Sequence, residues 1–143
     1  MAMEESVVDA NPDLQIYGRP SLKARQDILA IEGPKLAHQA CEKALIEWGG
    51  PRDAITHLIV VTVSGVHLPG CDLALTKSLG LQNDVGRVML HMLGCYAGVT
   101  GLRIAKDLVE NNPGSRALFV CSELNSLIFQ VRQRNRLRCL YLA

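Results

Sequence analysis

A chain of 143 residues fits a single domain, and an apolar share of 48% is enough to build a core, so neither a multidomain nor a disordered protein is expected. There is no signal-like N-terminus, and no apolar run reaches the roughly 18 residues of a membrane span, so a cytoplasmic protein without membrane contact is expected. The net charge of +1 hides an asymmetry: residues 130–143 hold four Arg and no acid, which leaves 11 basic against 14 acidic residues, or −3, in the 129 before them.

In chain order, residues 1–20 lack a periodic pattern and contain Asn11-Pro12 and Arg19-Pro20, which marks an irregular lead-in. Ser21 is a suitable N-cap for a helix reaching Trp48, with a kink at Gly33-Pro34 and an apolar face of Leu36, Ala37, Ala40, Cys41, Ala44, Leu45 and Trp48. Gly49-Gly50-Pro51 ends it. The run Ile55–Val63 is short, β-branched and almost continuously apolar, the pattern of a central strand covered on both faces. A loop over residues 64–70 follows, and Asp72 to Leu79 makes a short helix stopped by Gly80. Arg116–Cys121 is another buried strand. Helices and strands therefore alternate, which predicts an α/β fold with helices layered on a mostly parallel sheet.

The chemistry concentrates in the segment between, residues 87–108. It reads as a buried strand, a tight turn at Gly94, and a helix ending at Asn111-Asn112-Pro113-Gly114. Cys95 then lies at a helix N-terminus, where free N–H groups and the positive end of the helix dipole favour the thiolate that a nucleophile needs. The competing reading is a small residue packed beneath the helix, since free cysteines are often buried. The five cysteines, at 41, 71, 95, 121 and 139, are odd in number and form no C-x-x-C pair, so reduced thiols are expected. His38, His57, His67 and His91 show no mutual ligand spacing, and no metal site is expected. The glycines Gly94, Gly98 and Gly101 match neither a dinucleotide nor a phosphate loop; they suit close packing of a helix buried in mid-domain.

At these residues the chain resembles the N-terminal part of the chalcone synthase-like plant type III polyketide synthases, which have the thiolase fold. Ser21-Leu22-Lys23-Ala24-Arg25-Gln26-Asp27 is similar to that family's S-L-D-A-R-Q-D helix start, and Ile46-Glu47-Trp48-Gly49 to its K-E-W-G helix end. Ser64-Gly65-Val66 with Pro69-Gly70 and Asp72 is similar to its S-G-V-D-M-P-G-A-D loop, and Leu75-Thr76-Lys77 with Leu79-Gly80-Leu81 to the helix after it. Gly94-Cys95-Tyr96-Ala97-Gly98 corresponds to the nucleophile motif G-C-F-A-G, and Val120-Cys121-Ser122-Glu123 continues in register. The likeness covers about residues 10 to 130.

The resemblance implies that Cys95 takes an acyl group from a starter acyl-CoA and holds it while malonyl-CoA-derived units are decarboxylated and condensed onto it. CoA thioesters are substrates, and no cofactor is expected. In the family a His deprotonates the Cys, and that His with an Asn forms the oxyanion hole. Both belong to the family's C-terminal half, and this chain stops at about a third of the usual length, so a truncated and inactive synthase is expected. The resemblance also implies that the strand Ile55–Val63 and the Cys95 helix lose a covering layer. The expected partner is a second copy or a full-length homologue, as homodimer or heterodimer. Pocket positions carried over are Val63, where the family often has Thr; Leu68, where it has Met on a loop crossing the dimer interface; and Asn125 and Ile128, at two further Thr positions. Met92-Leu93 replaces a common Gln-Gln pair. These departures imply a starter or product other than that of chalcone formation.

After Phe129-Gln130 the family's G-P-S-D-T-H pattern gives way to an Arg-rich end, read as a frameshifted or mis-spliced tail and not as a nucleic-acid-binding arm. The expected organisation is thus a lead-in over 1–20, a partial thiolase-like domain over 21–129, and a divergent basic tail over 130–143.

Overall fold

The computed structural model describes residues 9–16, 21–131 and 137–139. The remainder of the expected lead-in and basic tail lies outside the described residues. Helix α1 (Leu22–Trp48) starts where Ser21 Oγ accepts a hydrogen bond from the Ala24 N–H at 3.1 Å, and ends at Gly49, whose φ of 71° closes the last turn onto Leu45 O. It continues through Pro34. Its buried residues are Leu29, Gly33, Ala37, Cys41 and Leu45, one every fourth position. This stripe is narrower than the face expected from the sequence. Ala40, Ala44 and Trp48 are exposed, because only one line of side chains meets the next helix.

Strand β1 (His57–Thr62) is central, and β2 (Gly86–His91) and β3 (Ala117–Cys121) pair with it in parallel on either side, in the order β2-β1-β3. Helix α2 (Cys71–Ser78) connects β1 to β2, and α3 (Ala97–Asn111) carries the chain across β1 to β3. The two crossovers use opposite faces, which the alternation of side chains along a strand makes explicit. Leu58 and Val60 of β1, Met89, Leu118 and Val120 pack with Ala37, Cys41 and Leu45 of α1 and with Cys71, Leu75 and Leu79 of α2 and its C-terminal end. On the other face α3 lies so close that a Cβ on Gly101 would fall 2.9 Å from Val61 Cγ2 and 2.3 Å from Phe119 Cε2.

The α/β alternation and central strand agree with the sequence reading, and three differences carry a physical reason. Strands β2 and β3, both expected to be buried, are mostly half-buried, because as the two edges of the described sheet each has a strand on one side only. Strand β1 keeps both of its covers, with Ile59 and Val61 sealed by α3, so it does not lose the layer that the resemblance implied. Helix α3 is not buried in mid-domain: only Ala97 and Gly101 are buried, while Val99 (73% exposed) and Leu102 face outward, in keeping with the lost covering layer that the resemblance implied for this helix.

A bidentate pair of Arg52 with Glu42, at 2.8 and 2.6 Å, ties α1 to the chain before β1, and Arg52 also donates to Leu79 O at 2.7 Å. Beyond β3, a short helix α4 (Asn125–Ile128) rests Leu127, with Leu124, on Leu29 of α1. The residues after it were not expected to be ordered as strands, yet β4 (Phe129–Val131) pairs antiparallel with β5 (Leu137–Cys139). Within the lead-in, Pro12–Gln15 forms a single 3-10 turn. No helix among the described residues is long and apolar enough to cross a membrane.

Candidate functional site

Because β1, β2 and β3 run in parallel, their C-terminal ends open on one edge of the sheet, the edge where open α/β sheets bind ligands. The residues singled out from the sequence follow those ends. Val63 is the first residue after β1, Cys95 lies four residues after β2, and Asn125 and Ile128 are on α4 after β3. Leu68 is separate from them, on the loop after β1, and is 88% exposed.

The approach to Cys95 is sharply bent. Met92 leaves β2 with its N–H bonded to Thr62 O at 3.0 Å and takes a φ of 56°, and Gly94 follows with a φ of 79°. A left-handed backbone costs little at glycine, but at Met92 it stores on the order of 1–3 kcal/mol, and such residues cluster at functional sites. The Ala97 N–H then closes onto Gly94 O at 3.0 Å and α3 begins. No side chain caps this helix, so its positive end stays open just beyond Cys95. Cys95 is free and exposed, which excludes the buried-spacer reading.

Of the other described cysteines, Cys121 is also exposed, whereas Cys41 and Cys71 are buried. Burial pushes the Cys41 and Cys71 thiols up to about 11, reinforced by Glu42 at Cys41 and by Asp72 and Cys41 at Cys71. Cys121 is also held above the ordinary thiol value, by burial and by Glu123. It stands against the first turn of α3, its Sγ 3.8 Å from where a Cβ on Gly98 would be.

One group was missed by the sequence reading. The Glu123 carboxylate, just past β3, accepts the Val63 N–H with both oxygens at 3.0 Å and the Ser64 Oγ–H at 2.8 Å. Ser64 Oγ in turn accepts the Leu124 N–H at 2.6 Å. Charge-assisted bonds of this kind are the strong ones, so Glu123 ties the exits of β1 and β3 together and fixes Val63 beside the segment bearing Asn125. A single acid after a strand has no periodic signature, and the signal available was the adjacent Ser122-Glu123 of the matched motif.

The described histidines make no pair with Cys95. His38 Nδ1 meets Ser78 Oγ at 3.0 Å, His57 Nδ1 meets Thr56 Oγ1 at 2.9 Å, and Nδ1 of both His67 and His91 has no hydrogen-bond partner among the described residues. No group of three or more His, Cys, Asp or Glu among the described residues could hold a metal ion. The arrangement supplies an accessible thiol at a bent strand exit; a base for that thiol is not among the described side chains. In comparison with known proteins, residues 1–141 match the family model described as "Chalcone and stilbene synthases, N-terminal domain".

Proposed function

Because the chain belongs to the chalcone and stilbene synthase family, we propose that it is an acyltransferase of the type III polyketide synthase kind, with Cys95 as the acyl acceptor. The Cys95 thiolate attacks the carbonyl of a starter CoA thioester, and CoA leaves as its thiol on taking up a proton. Decarboxylation of malonyl-CoA releases CO2 and gives an enolate. This attacks the Cys95-bound acyl carbon, forming a C–C bond and freeing the thiolate. The observation that carries the reading is the exposed Cys95 in the bend between β2 and α3, within the Gly94–Gly98 motif. Val63, Asn125 and Ile128 then shape the cleft for the starter, and Leu68 acts across an interface with a second copy or a full-length homologue.

The described side chains give Cys95 no base, and the His and Asn that form the oxyanion hole by the resemblance belong to the family's C-terminal half; one such donor alone is commonly worth about 10²–10³ in rate. The 143-residue chain by itself is therefore expected to form no polyketide from cinnamoyl-type starter-CoA and malonyl-CoA. Product above a Cys95→Ala control would contradict this. When the chain is joined to the C-terminal half of a working synthase, acyl loading should appear and should vanish with Cys95→Ala. A chimera that still loads acyl groups without Cys95 would remove it from the reaction.

A second reading is a non-catalytic chain that associates with full-length synthase subunits. It is supported by the outward apolar side chains Tyr96, Val99 and Leu102 near the start of α3, together with Leu68. Light scattering on co-expressed material separates the two: a stable mixed complex whose turnover is unaffected by Cys95→Ala favours the second.

A further inference from the structure

The buried stripe of α1 serves two different neighbours. Ala37, Cys41 and Leu45 pack with the sheet and α2, whereas Leu29 belongs to a separate cluster with Leu124 and Leu127, just before and within α4. The loop after β1 reaches the same place. A Cβ on Gly65 would lie 2.6 Å from Leu29 Cδ2 and 2.7 Å from Nε2 of Gln26, one turn earlier on α1. On its other side, Leu29 Cδ1 is 3.4 Å from where a Cβ on Gly33 would be, and Gly33 O accepts the Ser122 Oγ–H at 3.3 Å at the exit of β3. Leu29 is thus closed in by the loop, by α4 and by its own helix, and is 3% exposed.

We propose that Leu29 is a positioning residue for the starter pocket, its volume setting how far the loop of residues 64–70 stands from α4. The proposal rests on the acyltransferase reading, in which Val63 and Leu68 shape the site from the first segment and Asn125 and Ile128 from the second. Close-packed interiors pass a displacement from one neighbour to the next, and residues that share a contact are coupled. A second link between the segments runs through Ser64 Oγ, which donates to Glu123 at 2.8 Å and accepts the Leu124 N–H at 2.6 Å. Those bonds hold the two segments where they leave the sheet. Leu29 acts one step further along each, against Gly65 and Leu127. Loss of volume at position 29 therefore lets the loop and α4 approach each other while the hydrogen bonds at the strand exits remain.

The test is the 1H–15N spectrum of the 143-residue chain and its variants. Leu29→Ala should shift the amides of Val66–Leu68 and of Leu127–Ile128 together and leave those of β2 in place. Leu29→Met, which nearly conserves volume, should bring both sets back toward their wild-type positions. Gly65→Ala sets a methyl group against Leu29, so it should shift the Leu127–Ile128 amides when Leu29 is present and not in the Leu29→Ala chain, where the vacated space receives it. Movement of one segment alone in Leu29→Ala would overturn the proposal. So would a response to Gly65→Ala that persists without the Leu29 side chain, because the coupling would then run through Ser64 and Glu123. Leu29→Val replaces Leu29→Ala if the latter does not fold, with the same pattern at smaller amplitude. If Gly65→Ala does not fold, Leu29→Met decides, and shifts as large as those of the smaller side chain would overturn the proposal. None of these signals depends on acyl loading, so their failure is distinct from that of a chimera that loads without Cys95, which counts against the acyltransferase reading.

Discussion

Replacing Leu75 with alanine is expected to lower the unfolding free energy by about 2–5 kcal/mol, the cost of a core cavity that its surroundings cannot close. Leu75 is fully buried, and it sits where α2 meets both α1 and the sheet, among Ala37, Cys41, Leu58 and Val60. Two of those four lie on β1 and two on a 27-residue helix, so relaxation into the gap would have to move elements held by other contacts. A domain of this size has about 5–15 kcal/mol in total, which makes the change a large part of its stability. Urea unfolding followed by circular dichroism measures it directly. A loss below about 1 kcal/mol would show that α2 is not seated on the sheet as described.

The second large effect is expected at Gly101. Alanine is the better helix former by about 1 kcal/mol, so on propensity alone Gly101→Ala would stabilise α3. Packing decides the sign the other way. The new methyl group would fall 2.3 Å from Phe119 Cε2 and 2.9 Å from Val61 Cγ2, and Val61 is itself buried in the middle of the sheet. Overpacking of this kind costs about 1–3 kcal/mol, and the expected net result is destabilisation with α3 pushed off β1 and β3. Val99→Ala on the outward face of the same helix provides the control, with a change within about 0.5 kcal/mol. If Gly101→Ala were the more stable protein, the close approach of α3 to the sheet would be wrong.

The contrast between these two faces of α3 shows what could be read from the sequence. Gly94, Gly98 and Gly101 pointed to a turn and a close-packed helix, and both are present, because a missing Cβ has a direct steric meaning. The apolar residues Val99 and Leu102 carry no such direction: periodicity reports which side of a helix is apolar, not whether anything covers it. Strand β1 was legible because a β-branched apolar run can satisfy itself only between two layers. Strand β2, with Val88, Met89 and Leu90 at its centre, is also apolar there, and that run does not show whether a strand lies on one side or on both. The pairing of β4 with β5 was not legible, because Phe129–Val131 and Leu137–Cys139 are three residues each, too short to show a period of two. Glu123 shows the remaining limit. Its partners Val63 and Ser64 are about 60 positions away, and only the parallel register of β1 and β3 brings them together.

Competitive alkylation tests most directly whether Cys95 is the accessible, reactive thiol at the strand exits. The native chain is treated with limiting iodoacetamide near pH 7.5 and the modified cysteines are mapped by peptide mass. The open helix start and the exposed thiol predict that Cys95 is labelled first. Cys121 should follow more slowly, and Cys41 and Cys71, buried and pushed up to about 11, should react only after denaturation. Uniform labelling of the cysteines in the native chain, or Cys121 reacting ahead of Cys95, would contradict the assignment of Cys95 as the acyl acceptor.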